Sequence, residues 1–210
     1  MRPHGNGRQR VKRGRFIALE GLDGAGTTTQ AQALAEALRV KGLTVLVTRE
    51  PSTLPIGAMI RQALAGTLPL PPASMALLFA ADRLDHVARE IEPALAQGHW
   101  VISDRYVISS LAYQGAQLPM AWVEVINRYA LACDLTLFVD VDPEVGKARR
   151  AARGGPEELY DGDAMQRATR QRYHEAIALP VHVGRVKVID GGAPIADVTK
   201  ALLAALEPLL

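Results

Sequence analysis

Residues 21–30 read GLDGAGTTTQ and lie between an apolar run, RFIALE (15–20), and a segment of helical composition that ends at Gly42. This succession of strand, glycine turn and helix constrains the fold more than any other feature. Glycines at 21, 24 and 26 let the backbone wrap closely round an anion, and the helix start aims its free N–H groups and positive dipole end at the same point. The spacing follows G-x-x-x-x-G-K-[ST], with Gly21 and Gly26 on the glycines and Thr28 on the last position, but Thr27 stands where that pattern has lysine. Gly21, Gly24, Ala25, Gly26, Thr27, Thr28 and Thr29 are therefore the candidate binding residues for the phosphates of a nucleotide. A strand-to-helix turn with no ligand is the competing reading. A lysine would place a charged hydrogen bond worth roughly 1.5–3 kcal/mol on the phosphates, and its loss is on the order of 10- to 200-fold if it falls in one step. The backbone donors survive that loss, and an arginine from elsewhere can supply the charge.

Further apolar runs recur at 44–50 (TVLVTRE), 99–105 (HWVISDR), 134–141 (DLTLFVDV) and 186–190 (VKVID), separated by helical patterns, notably 73–98 and 120–132. Strands that are apolar without alternation, spaced by helices, predict a parallel sheet covered on both faces. With right-handed crossovers this is a doubly wound, five-stranded α/β fold with helices on both faces. TLPLPPA (67–73) is a connection, since helical pattern resumes at once, and RRAARGGPEELYDGD (149–163) reads as a mobile surface flap.

Composition narrows the class. The 210 residues are 49% hydrophobic and 22% charged, enough for one domain with a sizeable core. The single Cys133 leaves no intramolecular disulfide and points to a reducing cytoplasm, and no run reaches the ~18 apolar residues of a membrane span. The basic start lacks the apolar segment of a secretory signal. Five Arg and one Lys without an acid fall within residues 1–15. Such an arm touches nucleic acid or membrane phosphates in some proteins, but the plainer expectation is a disordered tail over 1–14, ahead of a domain spanning 15–210.

Polar groups gather at the carboxyl ends of the strands, where α/β folds bind ligands. Arg49 closes the second strand and Asp104 the third, with Arg105 following; an acid in that place holds Mg²⁺ directly or through water, and Thr28 offers the matching hydroxyl. Phe79 and Arg83 stand four apart on one helix face, a pair suited to stacking on a base and bonding its edge, although helical aromatics are commonly core. SSLAYQG adds Ser109, Tyr113 and Gln114. Arg149 and Arg153, also four apart, repel one another unless an anion accepts both.

GLDGAG, TREP, LLFAADR, DRY, SSLAYQG and DLTLFVDVDPEVG, in this order and spacing, make the chain resemble the bacterial thymidylate kinases, within the P-loop nucleoside monophosphate kinase fold; the likeness runs from residue 15 to 210. It implies transfer of the γ-phosphoryl of ATP to dTMP, giving dTDP and ADP for dTTP synthesis, with Mg²⁺, usually in a cytoplasmic homodimer, and with neither membrane nor nucleic acid as a partner. Carried over by motif, Phe79 would stack on thymine and Arg83 would bond its edge. Arg49 and Arg105 would hold the acceptor phosphate, Ser109 and Gln114 would border the substrate, Tyr113 would crowd the sugar 2′ position, and Asp23 would sit near the 3′-hydroxyl. Thr28 and Asp104 would serve the metal. Members without an arginine in the phosphate loop place basic residues in the flap, and with Gly24 in the loop and Arg149 and Arg153 in the flap this chain resembles that type. Arg105, Asp23, Arg149 and Arg153 are then the candidate catalytic residues, with flap closure bringing the last two to the missing charge. Three departures stand out: Thr27 for lysine, TREPSTLP where the family usually has TREPGGT, and the GGPEEL segment. A nucleotide-binding protein with little or no transfer, and a kinase for another pyrimidine nucleotide, remain open on these grounds.

Overall fold

The computed structural model describes residues 13–154, 159–179 and 184–210. Strands form at each apolar run: β1 Phe16–Gly21, β2 Val45–Arg49, β3 Trp100–Asp104, β4 Leu135–Asp140 and β5 Arg185–Asp190. All pair in parallel, in the order β2-β3-β1-β4-β5. Successive strand residues point to opposite faces, so the burial of every residue of β1 and β3 means that both faces of the sheet are covered. Among the covering elements, α1 (Thr27–Val40) packs on β2, β3 and α9 (Ile195–Leu206), while α5 (Val107–Tyr113) packs on β1 and α8 (Asp163–Ile177). Strand order reverses beside β1, and this opens a crevice at its carboxyl end for the glycine loop.

The helical stretch at 73–98 is more articulated than its composition predicts. Helix α3 (Pro72–His86) widens into a π turn, Val87–Ile91, before α4 (Glu92–Ala96). Pro93 has no N–H for the carbonyl four residues back, and the wider turn directly precedes it. The segment after TREP, which departs from the glycine-rich family form, becomes α2 (Pro55–Leu64); Ile60 and Ala63 pack with Met75 and Phe79 in a small core between α2 and α3. Residues 120–132 yield α6 (Met120–Asn127), and the start of the expected flap is the end of α7 (Pro143–Arg153). Residues 155–158, the centre of GGPEEL, and 1–12, most of the expected tail, lie outside the described residues. Arg13 and Gly14, placed with that tail, belong to the fold: Gly14 N–H donates to the Leu95 carbonyl at 2.9 Å and Arg13 lies 3.5 Å from Asp134.

Candidate active site

Helix α1 begins without a cap. Gly26, at φ 89°, turns the chain into the helix, no side chain bonds the first turn, and no acid lies in it. The orphan N–H groups of this turn and the dipole behind them face a cavity of about 490 Å³ bordered by residues 22–30, Asp104, Arg105, Arg149 and Arg153. Thr27 is buried, and its Cγ2 would lie 3.1 Å from a Cβ placed on Gly21. Its methyl thus packs under the loop, so the residue in the lysine position supports the cradle and adds no charge to it.

Thr28 and Asp104 are brought together as expected. The Thr28 hydroxyl donates to Asp104 Oδ2, while Oδ1, on a carboxylate only 7% exposed, has no hydrogen-bond partner among the described residues. An ionised oxygen left bare in that position is costly unless a cation meets it. The pair fits Mg²⁺ held by one carboxylate and one hydroxyl beside a phosphate chain.

Asp23 and Arg105 form the wall between this cavity and a second one of about 140 Å³, which is lined by Glu50, Phe79, Arg83, Ser109, Tyr113 and Gln114 among others. Arg105 sits at φ 72°, a conformation that costs a side-chain-bearing residue about 1–3 kcal/mol and persists only where its surroundings impose it. They do so here: Arg105 N–H donates to Leu19 O at 2.8 Å and Ser103 Oγ to Arg105 O at 2.7 Å. The turn sends the guanidinium back over the loop, where it donates to Gly21 O (2.8 Å), Tyr173 Oη (3.2 Å) and Asp23 Oδ1 (2.7 Å). Burial opposes its charge, but Tyr113, Asp23, Tyr173 and Asp104 around it raise its pKa well above the ordinary value. For Asp23 burial works the other way, pushing up, and is outweighed by Arg105, the Tyr113 hydroxyl (2.8 Å), Gln166 (3.1 Å) and Arg150, which hold the carboxyl below its ordinary range.

In the second cavity Phe79 and Arg83 are side by side as their spacing predicts. Arg83 is fully buried, Nε donating to Glu50 Oε2 at 2.9 Å and the NH2 group to Tyr106 O and Ser110 Oγ, with a further bond to Asn127. Glu50 is braced in turn by His86, whose Nδ1 lies 3.3 Å from Oε1. A buried ion pair of this kind is tolerable because Arg83 donates from all three of its nitrogens and Glu50 is engaged at both oxygens. Gln114 Nε2 reaches Tyr160 Oη at 3.4 Å, whereas its buried Oε1 has no partner among the described residues. Ser109 Oγ is bonded to Glu20 and lies 2.8 Å from Tyr173 Oη, so it supports the floor under Arg105.

Arg49 is the sequence candidate that does not join this group. It is exposed, in register with Asp104, and borders a neighbouring depression with Thr28, Asp104, Thr48 and Glu90. Arg149 and Arg153 do line the phosphate-loop cavity, on α7 itself, and Arg149 donates to Gly191 O at 3.0 Å. Sequence reasoning missed Glu20, Glu50, His86, Arg150, Tyr160, Gln166 and Tyr173. Gln166 and Tyr173 are seven apart on α8, a spacing that marks a buried helix face but says nothing of what that face meets.

A glycine loop opening a helix at one cavity, with a second cavity separated from it by a single Asp–Arg pair, is the layout of a P-loop phosphotransferase, and fold and site together assign the chain to that class. The sequence profile described as thymidylate kinase matches residues 19–202. The chain is 39% identical over 203 residues to a thymidylate kinase of Bordetella petrii, covering 94% of this chain and 97% of that one. It is 42% identical over 202 residues to one of Thermomicrobium roseum, with 93% and 95% covered, and 41% identical over 194 residues to a probable thymidylate kinase of Pyrobaculum calidifontis, with 91% and 95% covered. This chain belongs to the thymidylate kinase family.

Proposed function

We propose that the chain transfers the γ-phosphoryl of ATP to dTMP, giving dTDP and ADP. The observation that carries this reading is the Asp23–Arg105 wall, because a phosphoryl group crossing from one cavity to the other passes the Arg105 guanidinium. The larger cavity, with its backbone donors, takes the ATP phosphates, and the smaller one takes dTMP. There Phe79 stacks on the base, the bare Gln114 Oε1 accepts from thymine N3–H, Arg83 meets the base edge, and the Tyr113 ring borders the sugar. Arg105 holds the acceptor phosphate, and Arg49, outside this cavity, contributes at longer range.

The acceptor is a phosphate already ionised at neutral pH, so no general base is needed, and the lowered carboxyl of Asp23 serves to aim Arg105 and bond the sugar. Thr28 and Asp104 would hold Mg²⁺, which would supply charge neutralisation at the ATP phosphates. Arg149 and Arg153 stand in for the missing lysine, a role in which an arginine is worth ~10³ to 10⁵ in rate. We take the kinase domain to run from Arg13 to Leu210, the part of the 149–163 segment beyond α7 as its lid, and the cytoplasm, where its nucleotide substrates are consumed and made, as its place. A homodimer is supported by exposed apolar side chains on α3 and on α6 and the turn after it: Leu77, Leu84, Val125 and Tyr129 are 51%, 43%, 56% and 73% exposed.

The test is ADP release from ATP and Mg²⁺ with dTMP, with dUMP and with no acceptor, for the natural chain beside Thr27→Lys. Release that depends on dTMP in the natural chain is the expected result. Nucleotide binding without turnover, or turnover gained only with lysine at position 27, would mean a pocket that binds and no longer transfers, and faster release with dUMP would reassign the acceptor.

A further inference from the structure

Helix α7 reaches the phosphate loop backbone to backbone. Its start is capped by Asp142, whose Oδ1 accepts from Glu144 N–H at 2.9 Å. One turn on, Gly146 lies so close to the loop that a Cβ on Gly24 would fall 2.3 Å from its carbonyl oxygen. A Cβ on Gly146 would in turn fall 2.9 Å from the Asp23 carbonyl oxygen. Real Cβ atoms do not approach so near, so this docking requires glycine on both sides, and Gly24 at φ 85° needs it for its backbone as well. The next turn carries Arg150, whose side chain is only 11% exposed. Its NH1 group donates to Asp23 O at 2.7 Å, its Nε lies 3.3 Å from Asp161 Oδ1, and its NH2 group donates to Asp161 O at 3.4 Å.

Arg150 is absent from the lining of both cavities, yet its two partners are not: Asp23 borders both and Asp161 borders the smaller. Its neighbour Arg149, about 100° round the helix, is the residue that faces the phosphate-loop cavity. An arginine holding three acceptors from two segments cannot move without moving the helix, and Arg149 moves with the helix. We propose that Arg150 is a positioning residue for phosphoryl transfer: with the Gly24–Gly146 contact it bolts α7 to the loop and so holds Arg149 where the loop itself lacks a cation. The inference rests on reading Arg149 as the replacement for the lysine missing at Thr27. It differs from delivery of that charge by flap closure, because α7 is already docked.

A double-mutant cycle separates the two claims. Single-turnover rates and affinities for ATP and dTMP are measured for Arg149→Ala, Arg150→Ala, the double variant and Arg150→Lys, with melting curves for each. A misplaced catalytic group costs up to about 100-fold, so Arg150→Ala should lower the transfer rate by roughly 10- to 100-fold, with much less change in dTMP affinity. Because Arg150 acts mainly through Arg149, adding Arg150→Ala to Arg149→Ala should cost far less than it costs the natural chain. Arg150→Lys, which keeps a donor for Asp23 O, should recover part of the rate. Should Arg150→Ala not fold, Gly146→Ala lifts α7 from the loop with every charge retained, and the same loss and the same lack of additivity with Arg149→Ala are expected. An unchanged rate in Arg149→Ala would remove the replacement reading and the inference with it. A slow Arg149→Ala with a normal Arg150→Ala, or multiplying losses in the double variant, would overturn the inference alone.

Discussion

Asp23 is the residue on which the two halves of the site converge. Its carboxyl lies below the ordinary value of 3.8 because Arg105, Tyr113, Gln166 and Arg150 together outweigh its burial. A carboxylate with a lowered folded value contributes stability that is complete above 3.8 and is lost as pH falls through the lowered value. The stability gap between the natural chain and Asp23→Asn, measured by denaturant midpoint, should therefore be wide at neutral pH and narrow below 3.8. A gap independent of pH would show that Asp23 gains nothing from its partners. Glu20, beneath it, runs oppositely: burial, larger than the opposing pull of Ser109, Arg105 and Arg83, raises its value, so its ionisation costs stability as pH climbs from 4.5 toward that value. Glu20 is common to both chains, and its effect cancels in the comparison.

At the scale of elements, the loop between β2 and α2 explains one departure from the family pattern. Ser52 replaces a glycine of TREPGGT and is fully buried; its N–H and hydroxyl both donate to Asp82 of α3, at 2.7 and 2.6 Å, and its Oγ accepts from Leu54 N–H at 3.1 Å. The hydroxyl pins the loop to the helix that carries Phe79 and Arg83. Asp82→Ala strands both donors at about 1–3 kcal/mol each. It should lower the melting temperature and raise KM for dTMP more than KM for ATP, since Glu50 and Pro51 border the smaller cavity alone. Equal effects on both constants would mean that the loop supports the sheet and not the acceptor. Asp82→Asn, which keeps one acceptor oxygen, should fall between.

For the molecule as a whole, α3 is used on two sides. Phe79 and Arg83 line the acceptor cavity, while Leu77 and Leu84, on the far side of the same helix, are exposed apolar residues, as are Val125 and Tyr129 at the end of α6 and just beyond it. A second copy seated there would brace the substrate helix from behind. Leu84→Glu should convert a dimer into a monomer by sedimentation velocity and weaken dTMP binding more than ATP binding. A natural chain that sediments as a monomer at all concentrations would refute the dimer.

Local chemistry was legible from the residues in order. Three glycines ahead of a helix, apolar strands without alternation and an acid after the third strand each act within a few neighbours, so their spacing determined the sheet, the cradle and the Thr28–Asp104 pair. The π turn before Pro93 and the short α2 escaped, because each depends on what a helix packs against. What only the tertiary structure decided is which distant groups meet. Arg49, equal to Arg105 as a sequence signal, is turned to a different depression, whereas Arg105 is twisted to φ 72° over a loop more than eighty positions earlier. In the sequence Arg150 is one more arginine of the basic stretch RRAAR, with nothing beside it to mark a role. Its role follows from two glycines, 24 and 146, that let α7 touch the loop, and a contact across so long a span of chain is fixed by three-dimensional packing, on which local periodicity has no hold.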